Sequence, residues 1–206
     1  MENPRTLPHF IQKTESYCGA AALSMLYTHF GMSVSQDEIW ESVRSESRIL
    51  VRDYCGIAEM ARDAIRRGLV CTAAQVDDPL STIRMFRKDG IEIIPNYHRI
   101  LDTVEGHAAL VSYVYKKTVF VNDPSLSSEN GINFPVDNIN DLMRSYGEFD
   151  EIHPGNVLLA FLPSASAKGF YFRNCPNPKC KNSFPVITAV KARAVTIGCP
   201  YCNHAY

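Results

Sequence analysis

The chain has 206 residues, 46% hydrophobic and 21% charged, with one Trp and a formal net charge of −1. Such a composition is soluble and globular, with enough apolar material for one domain of ordinary size plus a small appendage, and it needs no staples to hold a core. The near-neutral total does not mark the whole chain as a nucleic-acid binder, but residues 165–206 carry six basic side chains and no Asp or Glu, which leaves the first 164 at −7, the whole-chain −1 less six.

The opening "MENPRTLPHFIQK" lacks the apolar core and cleavage site of a signal peptide. "VLLAF" is too short to span a bilayer, so no membrane association is expected. The expected location is cytoplasmic, where thiols stay reduced. Seven cysteines then read as core, catalytic or metal-binding residues and not as disulfides.

"YCGAAALSMLYTHFG" predicts a helix, with Leu23, Leu26, Tyr27 and Phe30 on one buried face and Gly31 as its stop. "SQDEIW" opens a second, with Ser35 and Glu38 at capping-box spacing. "CGIAEMARDAIRRG" predicts a third, with Ile57, Met60, Ala61, Ala64 and Ile65 on one side. "PLSTIRMFRKDG" predicts a fourth, with Pro79 near its first turn. The period then changes. "IEIIPNY", "HAALVSYVY" and "TVFVN" are short and rich in β-branched and aromatic residues, and "LVSYVYKKTVFV" reads as a hairpin with its Lys pair at the tip. "PVDNINDLMRSYG" predicts a short helix, "NVLLAFL" a closing strand and "PSASAKG" a linker. Helices first and strands later indicate an α+β fold, divided into a main domain over 1–163 and a linker with a small module over 164–206.

One constellation carries chemistry. Cys18 stands at the front of an apolar helix, Gln12 lies upstream, "GHAAL" places His107 at the start of a strand, and "FVNDPS" places Asp123 at the end of the next. A lone Cys in an apolar helix is ordinarily a core residue. The joint pattern favours a nucleophile. A helix N-terminus and a neighbouring imidazolium stabilise a thiolate. The imidazolium can also protonate a leaving amine, and a carboxylate fixes its tautomer. A side-chain amide and the cysteine's own N–H can hold an oxyanion. Asn122 is a rival orienter, and alternation allows only one of Asn122 and Asp123 to serve. Tyr97 and His98 are placed at the rim or surface, or lining the cleft. Cys55 and Cys71 read as buried thiols, and His9, His29 and His153 have no evident partner.

"QKTESYCGAAALSMLYTHFG" resembles the nucleophile motif of papain-like cysteine peptidases, and looks most like the bacteriocin-processing, double-glycine leader peptidases. "CGIAEMARDAIRRGL", "IIPNYH" and "GHAALVSYV…VFVNDPS" resemble that branch's mid-domain helix, the strand before its histidine, and its His and Asp strands. The resemblance covers roughly 7–163. It implies a papain-like fold, Cys18 as nucleophile, His107 as base and acid, Asp123 as orienter and Gln12 in the oxyanion hole. Papain itself uses Asn as orienter, which keeps Asn122 in view; the Asp-Pro pattern favours Asp123. The wider fold also includes isopeptidases, deamidases and transferases that share a thioester intermediate.

The tail carries a separate signal. Cys175, Cys180, Cys199 and Cys202 stand as C-x4-C-x18-C-x2-C, the pattern of a closed structural zinc site. The segment between resembles a zinc ribbon, and His204 is a spare ligand. With few large apolar side chains, this module needs the metal to hold together. Its basic charge suits an acidic protein, nucleic acid or the acidic main domain. The expected function is a cysteine peptidase acting on a peptide or isopeptide bond, with zinc as a structural cofactor and a peptide or protein substrate. The alternatives are an inactive peptidase-like adaptor and a thioester-forming transferase or deamidase.

Overall fold

The computed structural model describes residues 7–46, 52–99, 106–144, 155–164 and 169–205. His153 and the middle of the expected linker lie outside them.

A 3-10 turn at Glu15–Tyr17 runs directly into α1 (Cys18–His29). The sequence predicts one buried face for this helix, but every residue from Gly19 to Tyr27 is buried. The reason is its composition. Ala20, Ala21 and Ala22 leave no polar face, so neighbours close on all sides. Gly31, at φ +80, lets the chain turn away where a side chain would be strained. In α2 (Gln36–Val43) Ser35 caps as expected, accepting from Glu38 N–H at 3.2 Å. Strands β1 (Arg44–Ser45) and β2 (Tyr54–Cys55) pair and lead to α3 (Ile57–Arg66), whose buried face holds Ala58, Met60, Ala61 and Ala64. Buried Asp63 on α3 accepts from Tyr27 Oη at 2.7 Å and Arg67 Nε at 2.9 Å, which ties α1 to α3.

Strand β3 (Leu69–Val76) follows, then α4 (Pro79–Lys88), capped by Asp78 with Pro79 in its first turn. Next come β4 (Glu92–Tyr97), β5 (His107–Ala108), β6 (Leu110–Tyr115), β7 (Thr118–Asn122), β8 (Phe134–Val136), α5 (Ile139–Leu142) and β9 (Val157–Pro163). The tail adds β10 (Phe170–Asn174), β11 (Ser183–Ile187), α6 (Thr188–Lys191) and β12 (Ala194–Gly198). The expected Lys hairpin is β6–β7, with Lys116 in a left-handed turn at φ 52.

The central sheet runs β12-β3-β9-β4-β5, with every pairing antiparallel. β9 shows why it lies in the middle. Leu158, Ala160 and Leu162 enter one core with Ile83 and Phe86 of α4, while Leu159 and Phe161 enter the other with Leu23 and Leu26 of α1. A strand apolar on both faces must be covered on both. Arg87 and Glu92, both buried, form an ion pair that anchors α4 to β4.

The tail departs from the picture of a module hung on a linker. β12 hydrogen-bonds to β3 from Val76↔Ala194 to Ala73↔Gly198, with a bulge near Val195. Ile187 N–H donates to Thr72 Oγ1 at 2.9 Å, and Arg62 Nε to Pro200 O at 2.9 Å. Ile187 and Val190 pack into the main core, while Phe184, Val186 and Ile197 form a small cluster with Cys180 and Cys199. A tail with so few apolar residues completes its burial by joining the edge of a larger sheet. Among the described residues, no helix is long and apolar enough to cross a membrane.

Candidate active site

Cys18 is the first residue of α1 and is half-buried. The glycine after it has a steric reason. A Cβ on Gly19 would stand 2.5 Å from Cys55 Cβ and 2.8 Å from Met60 Sδ, so only glycine lets β2 and α3 close on the helix start. Tyr17 stacks on Trp40 with ring centroids 4.5 Å apart, which fixes the residue before the thiol.

His107 is the first residue of β5, which pairs with β4 (Tyr97↔His107), not with the strand that leads to Asp123. Asp123 follows the end of β7. The two still meet: His107 Nε2 lies 2.8 Å from Asp123 Oδ1. Cys18 neighbours this pair, and its thiol and the His107 imidazole act on each other electrostatically. The same Asp123 oxygen accepts from Ser125 N–H at 2.9 Å and Ser125 Oγ at 2.6 Å. Tyr97 Oη and Arg99 Nε lie 3.5 and 3.6 Å from its partner oxygen. The Tyr97 ring stands edge-on to His107 at 5.5 Å.

Charge follows from this geometry. Burial opposes ionisation of Cys18, but the hydrogen bond and charge of His107, with the backbone at Ala108 and Gly19, outweigh it and lower the thiol below its ordinary value. Burial likewise opposes the His107 cation, yet Asp123 and Cys18 raise it to about 9. Asp123 is held well below the carboxylate range, because the hydrogen bond and charge of His107 and the donors of Ser125 outweigh its burial. Thiolate and imidazolium are therefore the mutually stabilised forms. Cys55 is the opposite case: burial and the neighbouring Cys18 charge push its thiol up, and it donates to Ser16 O at 3.4 Å. Cys71 is buried and raised.

The remaining candidates fall as follows. Asn122 faces away from His107; its Nδ2 donates to Leu7 O and Pro8 O at 3.2 and 3.0 Å, and its Oδ1 accepts from Asn133 N–H. Gln12 is fastened beside the Asp123 loop by its backbone N–H, 2.7 Å from Pro124 O. Its side-chain Nε2 donates to Thr14 O at 2.9 Å, which engages one of its two N–H bonds. Tyr97 and His98 are buried, not at the rim: Tyr97 ends β4, which is covered on both faces, and His98 just beyond it donates its N–H to Leu142 O at 2.8 Å. His9 Nε2 lies 3.3 Å from Leu126 O and His29 Nε2 lies 3.5 Å from Glu92, so both have partners the sequence did not suggest. The pocket at Cys18 is also lined by Arg52, Tyr54, Asn96 and Gly106. Sequence reasoning missed Tyr97 as a neighbour of the His–Asp pair; its one signal was its place in the strand before the histidine.

The tail cysteines converge. All four sulfurs lie within 4.8 Å of one another, with Cys175–Cys202 at 3.6 Å and Cys180–Cys199 at 3.9 Å. Tetrahedral zinc with bonds of about 2.3 Å sets its sulfurs about 3.8 Å apart, so the donor set fits that ion. None of the seven cysteines is in a disulfide.

No protein-family model and no curated protein matches the sequence. Solved structures do match the fold. A double-glycine-motif protease from an AMS/PCAT transporter, in complex with its leader peptide, superposes with a TM-score of 0.54 at 18% identity, covering 79% of this chain and 95% of that one. The peptidase domain of Streptococcus ComA, a bifunctional ABC transporter of a quorum-sensing pathway, gives 0.53 at 12%, covering 75% and 96%. A Bacillus anthracis protein designated C39-like peptidase gives 0.54 at 11%, covering 76% and 94%. The mixed helix and antiparallel-sheet fold is thus the C39 peptidase-like fold expected from the sequence motifs.

Proposed function

We propose that this chain is a cysteine peptidase that hydrolyses a peptide or isopeptide bond through a thioester at Cys18. The observation that carries this reading is the His107–Asp123 pair beside Cys18, which starts a buried helix and lines a pocket. The Cys18 thiolate attacks the carbonyl carbon, and the oxyanion is held by the Cys18 N–H and the free amide N–H of Gln12. The C–N bond breaks as His107 gives its proton to the leaving amine, which leaves a thioester. Water then attacks, His107 takes its proton, and the departing thiolate regenerates the ion pair. Asp123 keeps Nε2 protonated and the ring aligned throughout.

The substrate in this reading is a peptide, in line with the leader peptide bound to the AMS/PCAT protease. The four tail thiolates hold one structural Zn²⁺, which takes no part in the chemistry. The basic tail serves substrate or partner binding, and the free thiols suit a cytoplasmic setting. The test is incubation with a peptide-based electrophile, then mass mapping, alongside cleavage of a peptide panel. Modification at Cys18 with cleavage supports the reading; modification elsewhere, or no cleavage of any peptide, overturns it.

A further inference from the structure

A second cavity of about 230 Å³ opens beside the pocket that holds Cys18. Tyr54 and Ile57 line both, so the two are compartments of one cleft that meet at the start of α3. Ala58 of α3 and Ala73 and Ala74 of β3 line the second compartment. Its far side is built by the tail: Thr196 and Gly198 of β12, with Cys199 beyond them. The mechanism uses none of these residues.

We propose that this compartment is a subsite of the catalytic cleft, where the tail and α3 together seat a bulky apolar side chain of the same peptide whose scissile bond lies at Cys18. The inference rests on the peptidase reading for its occupant. Continuity chooses that occupant: an extended chain leaving Cys18 past Tyr54 enters the compartment, and successive residues advance about 3.3 Å with side chains to alternate sides. Small side chains choose the chemistry. Ala58, Ala73, Ala74 and Gly198 leave space open, and a Cβ on Gly198 would meet nothing closer than Ala73 Cβ at 3.7 Å. Charge is already matched. Glu59, the one acidic side chain in the lining, lies 3.4 Å from Arg62, whose Nε is bound to Pro200 O. Thr196 Oγ1 donates to Gln75 Oε1 at 3.2 Å, so these two rim groups already satisfy each other. A neutral, apolar side chain is what such a lining favours. Cys199 belongs both to this wall and to the four-thiol cluster, so a bound metal would fix the wall in place.

The test fills the space. Gly198→Leu projects a side chain into the compartment, Gly198→Ala adds only a Cβ, and Ala58→Leu fills it from the opposite side. Each is given a library of blocked eight-residue peptides with one position fixed at a time. The full-length wild type should prefer Phe, Leu or Ile over Gly by about tenfold or more at one position remote from the cut bond. Gly198→Leu and Ala58→Leu should lose that preference through KM, while Gly198→Ala keeps it. Alkylation of Cys18 by iodoacetamide and cleavage of a two-residue fluorogenic amide should stay within about twofold of wild type, as expected of variants away from the reacting atoms. No remote preference in the wild type, or its survival in both Leu variants, overturns the proposal. Retention of the same library on immobilised Cys18→Ala protein separates the two readings. If nothing is cleaved, yet retention depends on the apolar residue and vanishes on adding Gly198→Leu, the subsite stands and the peptidase reading fails. If cleavage occurs without that dependence, the reverse holds.

Discussion

Asp123 stands behind His107. Its Oδ1 meets Nε2 at 2.8 Å, and together with Cys18 it raises the imidazole's pKa. Two titrations follow. The proposed reaction needs thiolate and imidazolium together. Activity should rise as pH climbs through the lowered thiol value of Cys18, hold on a plateau, and fall as pH passes about 9, where His107 loses its proton. Asp123→Asn removes the carboxylate that raises His107, so the alkaline limb of the kcat/KM profile should move down by about one pH unit or more. An unmoved limb would show that Asp123 does not govern the ring.

Cys18→Ala should abolish turnover and leave the fold intact, since Ala suits the start of a helix already rich in it. Circular dichroism and the peptide-panel assay check the two halves separately. Wild-type activity in this variant would remove the catalytic assignment.

Gln12→Ala should lower kcat by roughly 10²–10³, the usual loss for one oxyanion donor. Because Gln12 is anchored by its backbone to Pro124 O, the change should leave thermal stability nearly unaltered. A loss under about threefold would assign the oxyanion to another donor.

Gly19→Ala should destabilise the protein by about 1–3 kcal/mol in urea unfolding, the cost of forcing a methyl into a filled contact. Since the colliding atoms belong to Cys55 and Met60, adding Cys55→Gly should restore part of the loss. Additive losses would show that strain at Gly19 comes from elsewhere.

Protein purified without chelator should hold one equivalent of Zn²⁺ by elemental analysis, lost in Cys199→Ser. Stripping the metal should lower Tm by about 5 °C or more, given about 2–4 °C per kcal/mol at this size. Because β12 is bonded to β3, amide exchange at Ala73–Gln75 should also accelerate. Absence of zinc in the purified protein would refute the ribbon assignment.

The sequence is legible where short-range chemistry decides the structure. Ser35 and Pro79 mark helix starts because caps act within one turn, and the four tail cysteines converge because metal-type spacing is itself local. The Cys18, His107 and Asp123 set was visible as three motifs, though the pairing of β5 with β4 was not. β3 is not legible in the sequence because "LVCTAAQV" has no polar–apolar alternation. Val70 and Ala74 face one core while Leu69, Cys71 and Ala73 face the other, and such a run is ambiguous by period alone. The union of β12 with β3 joins residues far apart in the chain, and no periodicity encodes a partner at that distance.

That union also decides how the protein behaves in company. With β12 in place, β3 is an interior strand. Without it, the backbone groups of Ala73, Ala74 and Gln75 that now meet Gly198, Ile197 and Thr196 would form a bare edge between two apolar cores. Such an edge is a template for another chain. Covering that edge would therefore guard the chain against self-association. A chain cut after Pro163 should elute as aggregates in size-exclusion chromatography even though Cys18, His107 and Asp123 are all retained.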